Sequence, residues 1–231
     1  MFQPREESIP SGALDVVSSP EWSAHDVRAV IGAHVQPALP MGTVAATPGA
    51  VNAAVCNLEI TISGSGGHAA YPHTTQDPVL ALSDIIVSLQ QVVSRRIDPT
   101  RAAVLSIGTL RAGTAPGIIP ALANASGTLR ALHPADLGTL RAATSEIAER
   151  VAQAHRCKAA VSFIPGEPVL VNDEQLALEV RPVLTRSGVT IAPDERSCGA
   201  DDFAYYAERH PGLMMFVGTG NGGKLSPASL H

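Results

Sequence analysis

The chain has 231 residues, 45% of them apolar and 16% charged, with a formal net charge of −5. That length can bury a sizeable core in one or two domains, and the balance of apolar to charged residues excludes a disordered chain. The acidic charge, with Lys and Arg scattered rather than striped, argues against a nucleic-acid partner. Aromatics make up only 3%, so the core must be built from Ala, Val, Leu and Ile. The cysteines Cys56, Cys157 and Cys198 form neither a disulfide framework nor a zinc knuckle and read as reduced thiols. Residues 1–4 carry no secretory pattern, and no apolar run approaches the ~20 residues of a membrane span. The expectation is a cytoplasmic protein without a membrane partner.

In chain order, the first feature is the carboxylate pair Glu6 and Glu7, following Gln3-Pro4-Arg5. Side chains of neighbouring extended residues diverge, so one carboxylate can ligate a metal while the other faces a water; a solvated acidic pair fits the same residues. His34 follows the apolar Val30-Ile31 and suits either a ligand or a hydrogen-bonded core histidine. A β-rich strand is predicted at Asn57–Ser63, then a glycine turn at Gly64–Gly67 that presents His68, with His73 close behind. A histidine held by glycines can serve as an oxyanion donor, or the loop is an ordinary turn.

The clearest helix is predicted over Asp77–Arg95, with Asp77 as N-cap and Pro78 in the first position. Val79, Leu82, Ile86, Leu89 and Val93 mark its apolar face. Strands follow at Ala103–Arg111 and Ala121–Ala131, a helix from about Pro134 to Arg156, and a strand at Lys158–Ile164. The order βαββαβ is that of a ferredoxin-like split unit. Residues 57–167 therefore read as a domain inserted into a second domain built from 1–56 and 168–231. In the second flank, Asp201 and Asp202 precede an apolar aromatic segment and read as acidic capping of a helix N-terminus. His25, His133, His155 and His210 read as surface residues.

An ordered set of segments says more than any one of them: Gln3-Pro-Arg-Glu6-Glu7, Gly32-Ala-His34-Val-Gln-Pro, Gly66-Gly-His68-Ala-Ala-Tyr-Pro-His73, Gly127-Thr-Leu-Arg130, Gly199-Ala-Asp201-Asp202-Phe203 and Leu230-His231. Over nearly the whole chain this resembles the metallopeptidase family of aminoacylases, hippurate hydrolases and auxin-conjugate hydrolases. The resemblance implies an α/β metal-binding domain with two divalent ions (zinc, manganese, nickel or cobalt). It also implies an inserted ferredoxin-like lid through which the chain forms a homodimer, and an N-acyl amino acid or similar amide as substrate. Position by position, it implies Glu6 as general base, Glu7, His34 and His231 as metal ligands, and His68 as the lid histidine that stabilises the oxyanion in the partner's site. Arg130 falls in a motif associated with the substrate carboxylate.

The sequence also departs from the family. The family's His-x-Asp-Gly-His segment, with further ligands, does not occur in it, so the α/β metal-binding domain is expected to be incomplete. Gly117 stands where an Asn is usual, and Asp201 replaces a usual Glu. Three ligands are fewer than a two-ion site needs. The expectation is metal-dependent amide hydrolysis, impaired in this chain; the alternative is a dimerising relic without catalysis.

Overall fold

A computed structural model describes residues 3–6 and 10–220. The chain runs through one unit to residue 53, forms a second unit over residues 54–166, and returns to the first at residue 167. The first passage holds short helices α1 (Gly12–Val17) and α2 (Pro20–Ser23), then strands β1 (Val30–Pro40), β2 (Thr43–Ala45) and β3 (Gly49–Asn52). Ser19 caps α2, its hydroxyl accepting from the Trp22 N–H at 3.1 Å, and Pro20 takes the first position, where no N–H is needed.

The second unit follows the predicted order. It comprises β4 (Ala54–Ser63), β5 (Gly67–His68), α3 (Pro78–Leu89), α4 (Gln91–Arg96), β6 (Ala103–Ala112), β7 (Ile118–Ile119), β8 (Leu122–Ala131), α5 (Pro134–Ala154) and β9 (Lys158–Pro165). Its main sheet has the order β6-β8-β4-β9 with antiparallel neighbours throughout. Alternation decides which face is covered. Cys56, Leu58, Ile60 and Ile62 of β4 are buried with Leu129 of β8 against residues of all three helices, including Leu82, Ile85 and Leu89 of α3 and Leu140 of α5. The helices therefore lie on one side of the sheet. Each such aliphatic side chain is worth about 1.5–3 kcal/mol when fully buried.

One sequence expectation changes in detail. The helix over Asp77–Arg95 is two helices meeting at Gln90, where the Gln90 N–H reaches back to the Val87 carbonyl at 3.1 Å and tightens the turn. Also, β4 is an interior strand paired on both sides, so Asn57–Ser63 offers no free edge, and its apolar side chains are already covered.

Returning to the first unit, the chain adds β10 (Leu170–Asn172), α6 (Glu174–Arg186), β11 (Thr190–Ile191), α7 (Ala204–Ala207) and β12 (Gly212–Gly220). One sheet has the order β1-β12-β2-β11, with β1 parallel to β12 from Val30 beside Gly212 to Gln36 beside Gly218. A two-stranded sheet pairs β10 with β3. Leu39, Ala45, Val51, Leu170, Met214 and Phe216 form the core under these strands. Asn172, 1% exposed, ties the parts together: its amide nitrogen donates to the Thr47 and Met214 carbonyls at 2.7 and 2.9 Å, and its oxygen accepts from the Met214 N–H at 2.7 Å. Among the described residues no helix is long and apolar enough to cross a membrane.

Candidate catalytic and metal site

Glu6 sits on an exposed turn that is tied down at two points before it. The Arg5 carbonyl accepts from the Gly12 N–H at 3.1 Å. The approach is so close that a Cβ on Gly12 would stand 1.5 Å from the Pro4 oxygen, so only glycine fits there. Gln3 is held by both ends of its carboxamide. Its nitrogen donates to Asp202 Oδ2 at 2.6 Å, and its oxygen accepts from the Tyr206 hydroxyl at 2.8 Å. The same Asp202 oxygen accepts from the Ala13 N–H at 3.2 Å.

This arrangement brings carboxylate oxygens of Glu6, Asp201 and Asp202 within 4.8 Å of one another. Asp201 and Asp202 are 8% and 3% exposed. Asp201 Oδ1 accepts from the Phe203 N–H at 2.9 Å, a local bond in the turn ahead of α7 rather than the expected helix cap, since the N-cap of α7 is Phe203 and it has no side-chain cap bond. Asp202 does something the sequence did not suggest: it reaches across to Gln3 and α1. Around it, the Tyr206 ring lies 5.2 Å from Trp22 and 5.9 Å from Phe203. Burial, and then the Asp202 charge, push the Tyr206 phenol above its ordinary pKa. Burial likewise raises Tyr205, with Glu167, Glu208 and Asp202 adding to it. His210, read as a surface residue, is half-buried and accepts from the Trp22 indole N–H at 3.2 Å.

The other expected residues are placed as follows. His34 lies exposed on β1 beside Phe216 of β12. Its Nδ1 is 2.8 Å from the Val35 carbonyl. A carbonyl only accepts, so Nδ1 is the donor, which leaves Nε2 as the ring nitrogen available to a metal. Among the described residues His34 does not join the Glu6–Asp201–Asp202 group. Glu7 and His231 lie outside the described residues, and with them the expected convergence of Glu7, His34 and His231.

In the second unit, His68 is exposed on β5, paired with Ile118 of β7. Gly66 turns the chain there with a φ of 60°. Ala70 N–H donates to His68 Nδ1 at 3.0 Å, which leaves the ring proton on Nε2, able to donate outward. The Gly117 carbonyl accepts from the next amide, Ala69 N–H, at 3.0 Å, and a Cβ on Gly117 would meet no atom within 4 Å. A side chain at 117 would thus stand in open space beside the His68 ribbon. Arg130 is half-buried on β8, on the sheet face opposite the helices, between the buried Leu129 and Ala131.

Residues 1–229 match the family described as Peptidase family M20/M25/M40. The chain belongs to that family. It is 34% identical over its whole length to an N-acetyldiaminopimelate deacetylase of Shouchella clausii, covering 60% of that protein. It is 34% identical to an N-acetyl-L-cysteine deacetylase of Bacillus subtilis over 95% of the chain and 52% of the relative. Among solved structures it resembles the Bacillus subtilis YXEP protein, described as a dinuclear metal binding peptidase from the M20 family. That likeness has a TM-score of 0.78 at 29% identity and covers 96% of this chain and 56% of the other. The chain thus spans about 60% of the length of the first of these relatives.

Proposed function

We propose that this protein hydrolyses the amide bond of an N-acyl amino acid, with Glu6 as general base and a divalent metal centre held by Glu7, His34 and His231 among its ligands. The reading draws its support from the family match over residues 1–229 and from relatives named as deacetylases of N-acetyldiaminopimelate and N-acetyl-L-cysteine. The observation that carries it in this chain is the Glu6 carboxylate on a segment tethered at both Gln3 and Arg5. The donor chemistry fits a metal: His34 engages the Val35 carbonyl through Nδ1 and leaves Nε2 for a ligand role, and carboxylate with imidazole suits zinc, manganese, nickel or cobalt. Such ions, when bound, make water more acidic and polarise a carbonyl.

In this reading Glu6 takes a proton from the attacking water as its oxygen bonds to the amide carbon. Glu6 then returns that proton to the nitrogen as the C–N bond breaks, giving a carboxylic acid and an amine, and the acid's remaining proton passes to the amine to leave a carboxylate and an ammonium. His68, with its proton on Nε2, donates to the oxyanion, and Arg130 takes the amino-acid carboxylate. The inserted unit acts as lid and pairing domain. Three donors are fewer than a pair of ions takes, so residues 1–231 by themselves are expected to turn over slowly. The test is release of acetate or benzoate from N-acetyl and N-benzoyl amino acids, with added zinc, manganese or cobalt and after chelation. Metal-dependent release supports the proposal; release unaffected by chelator and metal overturns it.

A further inference from the structure

We infer that Asp202 and Tyr206 are positioning residues that clamp the Gln3 carboxamide and thereby hold the segment carrying Glu6. The clamp reads both ends of one amide. Asp202 accepts from its nitrogen at 2.6 Å, and Tyr206 donates to its oxygen at 2.8 Å. Flipping the amide would set its oxygen against a carboxylate and its N–H₂ against a hydroxyl proton, so the orientation is unique.

The acceptor is itself fixed. Asp202 is buried, and its Oδ2 also takes the Ala13 N–H, one residue beyond the Gly12 N–H that holds the Arg5 carbonyl. Gln3 and Arg5, two residues apart and just ahead of Glu6, are thus tied to α1, one directly and one through Asp202. The donor is fixed too, since Tyr206 packs between Trp22 and Phe203. Burial and the neighbouring Asp202 charge keep its phenol protonated. The tethers matter because Glu6 stands within 4.8 Å of the Asp201 and Asp202 oxygens, and like charges at that range push the segment outward. A base displaced by as little as an ångström loses most of its use.

The catalytic half of this inference rests on the proposed hydrolysis; the clamp itself does not. The test uses the full chain and two readouts. The first is amide hydrogen exchange at Gly12 and Ala13, measured by NMR without substrate. The second is kcat and KM on the best N-acyl amino acid. Tyr206→Phe, which removes only the hydroxyl, is expected to speed Gly12 exchange about fivefold. It should lower kcat about tenfold while KM stays within about twofold. Gln3→Glu, which sets two carboxylates against each other, should do more damage. The pair Gln3→Glu with Asp202→Asn restores an amide–carboxylate contact with the ends exchanged, and should recover most of the lost kcat. Unchanged exchange in Tyr206→Phe, or a double variant no better than Gln3→Glu, overturns the inference. If the unsubstituted protein shows no turnover, the hydrolase reading fails by itself, and exchange alone then decides the clamp.

Discussion

Gln3 and Asp202 are 199 positions apart in the chain and 2.6 Å apart in space. No local pattern announces such a pair. Asp77, by contrast, was legible as a helix cap because its partners are the Val79 and Leu80 N–H groups two and three residues on, and Asp201 makes a similarly local bond to the Phe203 N–H in the turn before α7. Side chains that bond to nearby backbone leave a signature in sequence; those that bond across the fold do not. The half-buried tyrosines give a pH dependence. Tyr205 and Tyr206 hold their protons more tightly in the folded state than the ordinary value of 10.0. Their contribution to stability is complete below that value. It is lost as pH climbs from there through the folded-state values, because the unfolded chain releases those protons first. Melting temperature is expected to fall as pH rises above about 10, and to fall less in Tyr206→Phe. Identical alkaline profiles for the two proteins would contradict the assignment.

Periodicity found the elements of the second unit and missed their finer facing. In α3 the buried residues are Pro78, Ala81, Leu82, Ile85 and Leu89, whereas the apolar pattern favoured Val79, Leu82, Ile86 and Leu89, so that Leu82 and Leu89 agree and Val79 and Ile86 do not. The buried face is turned by about one residue toward Ala81, and a small Ala gives little hydrophobic signal in the sequence. The βαββαβ order was legible since each strand and helix there is long enough for its period to repeat. The first unit was not, because many of its elements have two to four residues. Asn172 illustrates the cost of that: in Leu-Val-Asn-Asp it looks like a turn residue, yet it is the buried link between β10, β12 and Thr47. Asn172→Ala would leave the Met214 N–H and the Thr47 and Met214 carbonyls without this partner. It is expected to cost roughly 3 kcal/mol, from buried groups left unsatisfied at about 1–3 kcal/mol each. Urea unfolding would measure it, and a loss under about 0.5 kcal/mol, the range of an ordinary surface substitution, would contradict the account.

The whole chain is two units, one continuous and one built from both flanks, in a member of a family whose first relative is longer by a large margin. The continuous unit is where we place self-association. Its strand β4 is internal, so the surface left for a second copy includes the outer side of α3, where Leu80 and Val87 are 57% and 71% exposed. A homodimer is expected by light scattering at micromolar concentration, and Val87→Asp is expected to weaken it. A monomer in the unsubstituted protein would contradict this.

The central claim is that Glu6 is the base of a metal-dependent amide hydrolysis, and one comparison tests it most directly. Glu6→Gln keeps the size and most of the hydrogen bonding of the side chain and removes its basicity. The account predicts that kcat falls by about a hundredfold or more while metal content by elemental analysis stays the same. Turnover retained in Glu6→Gln would contradict it.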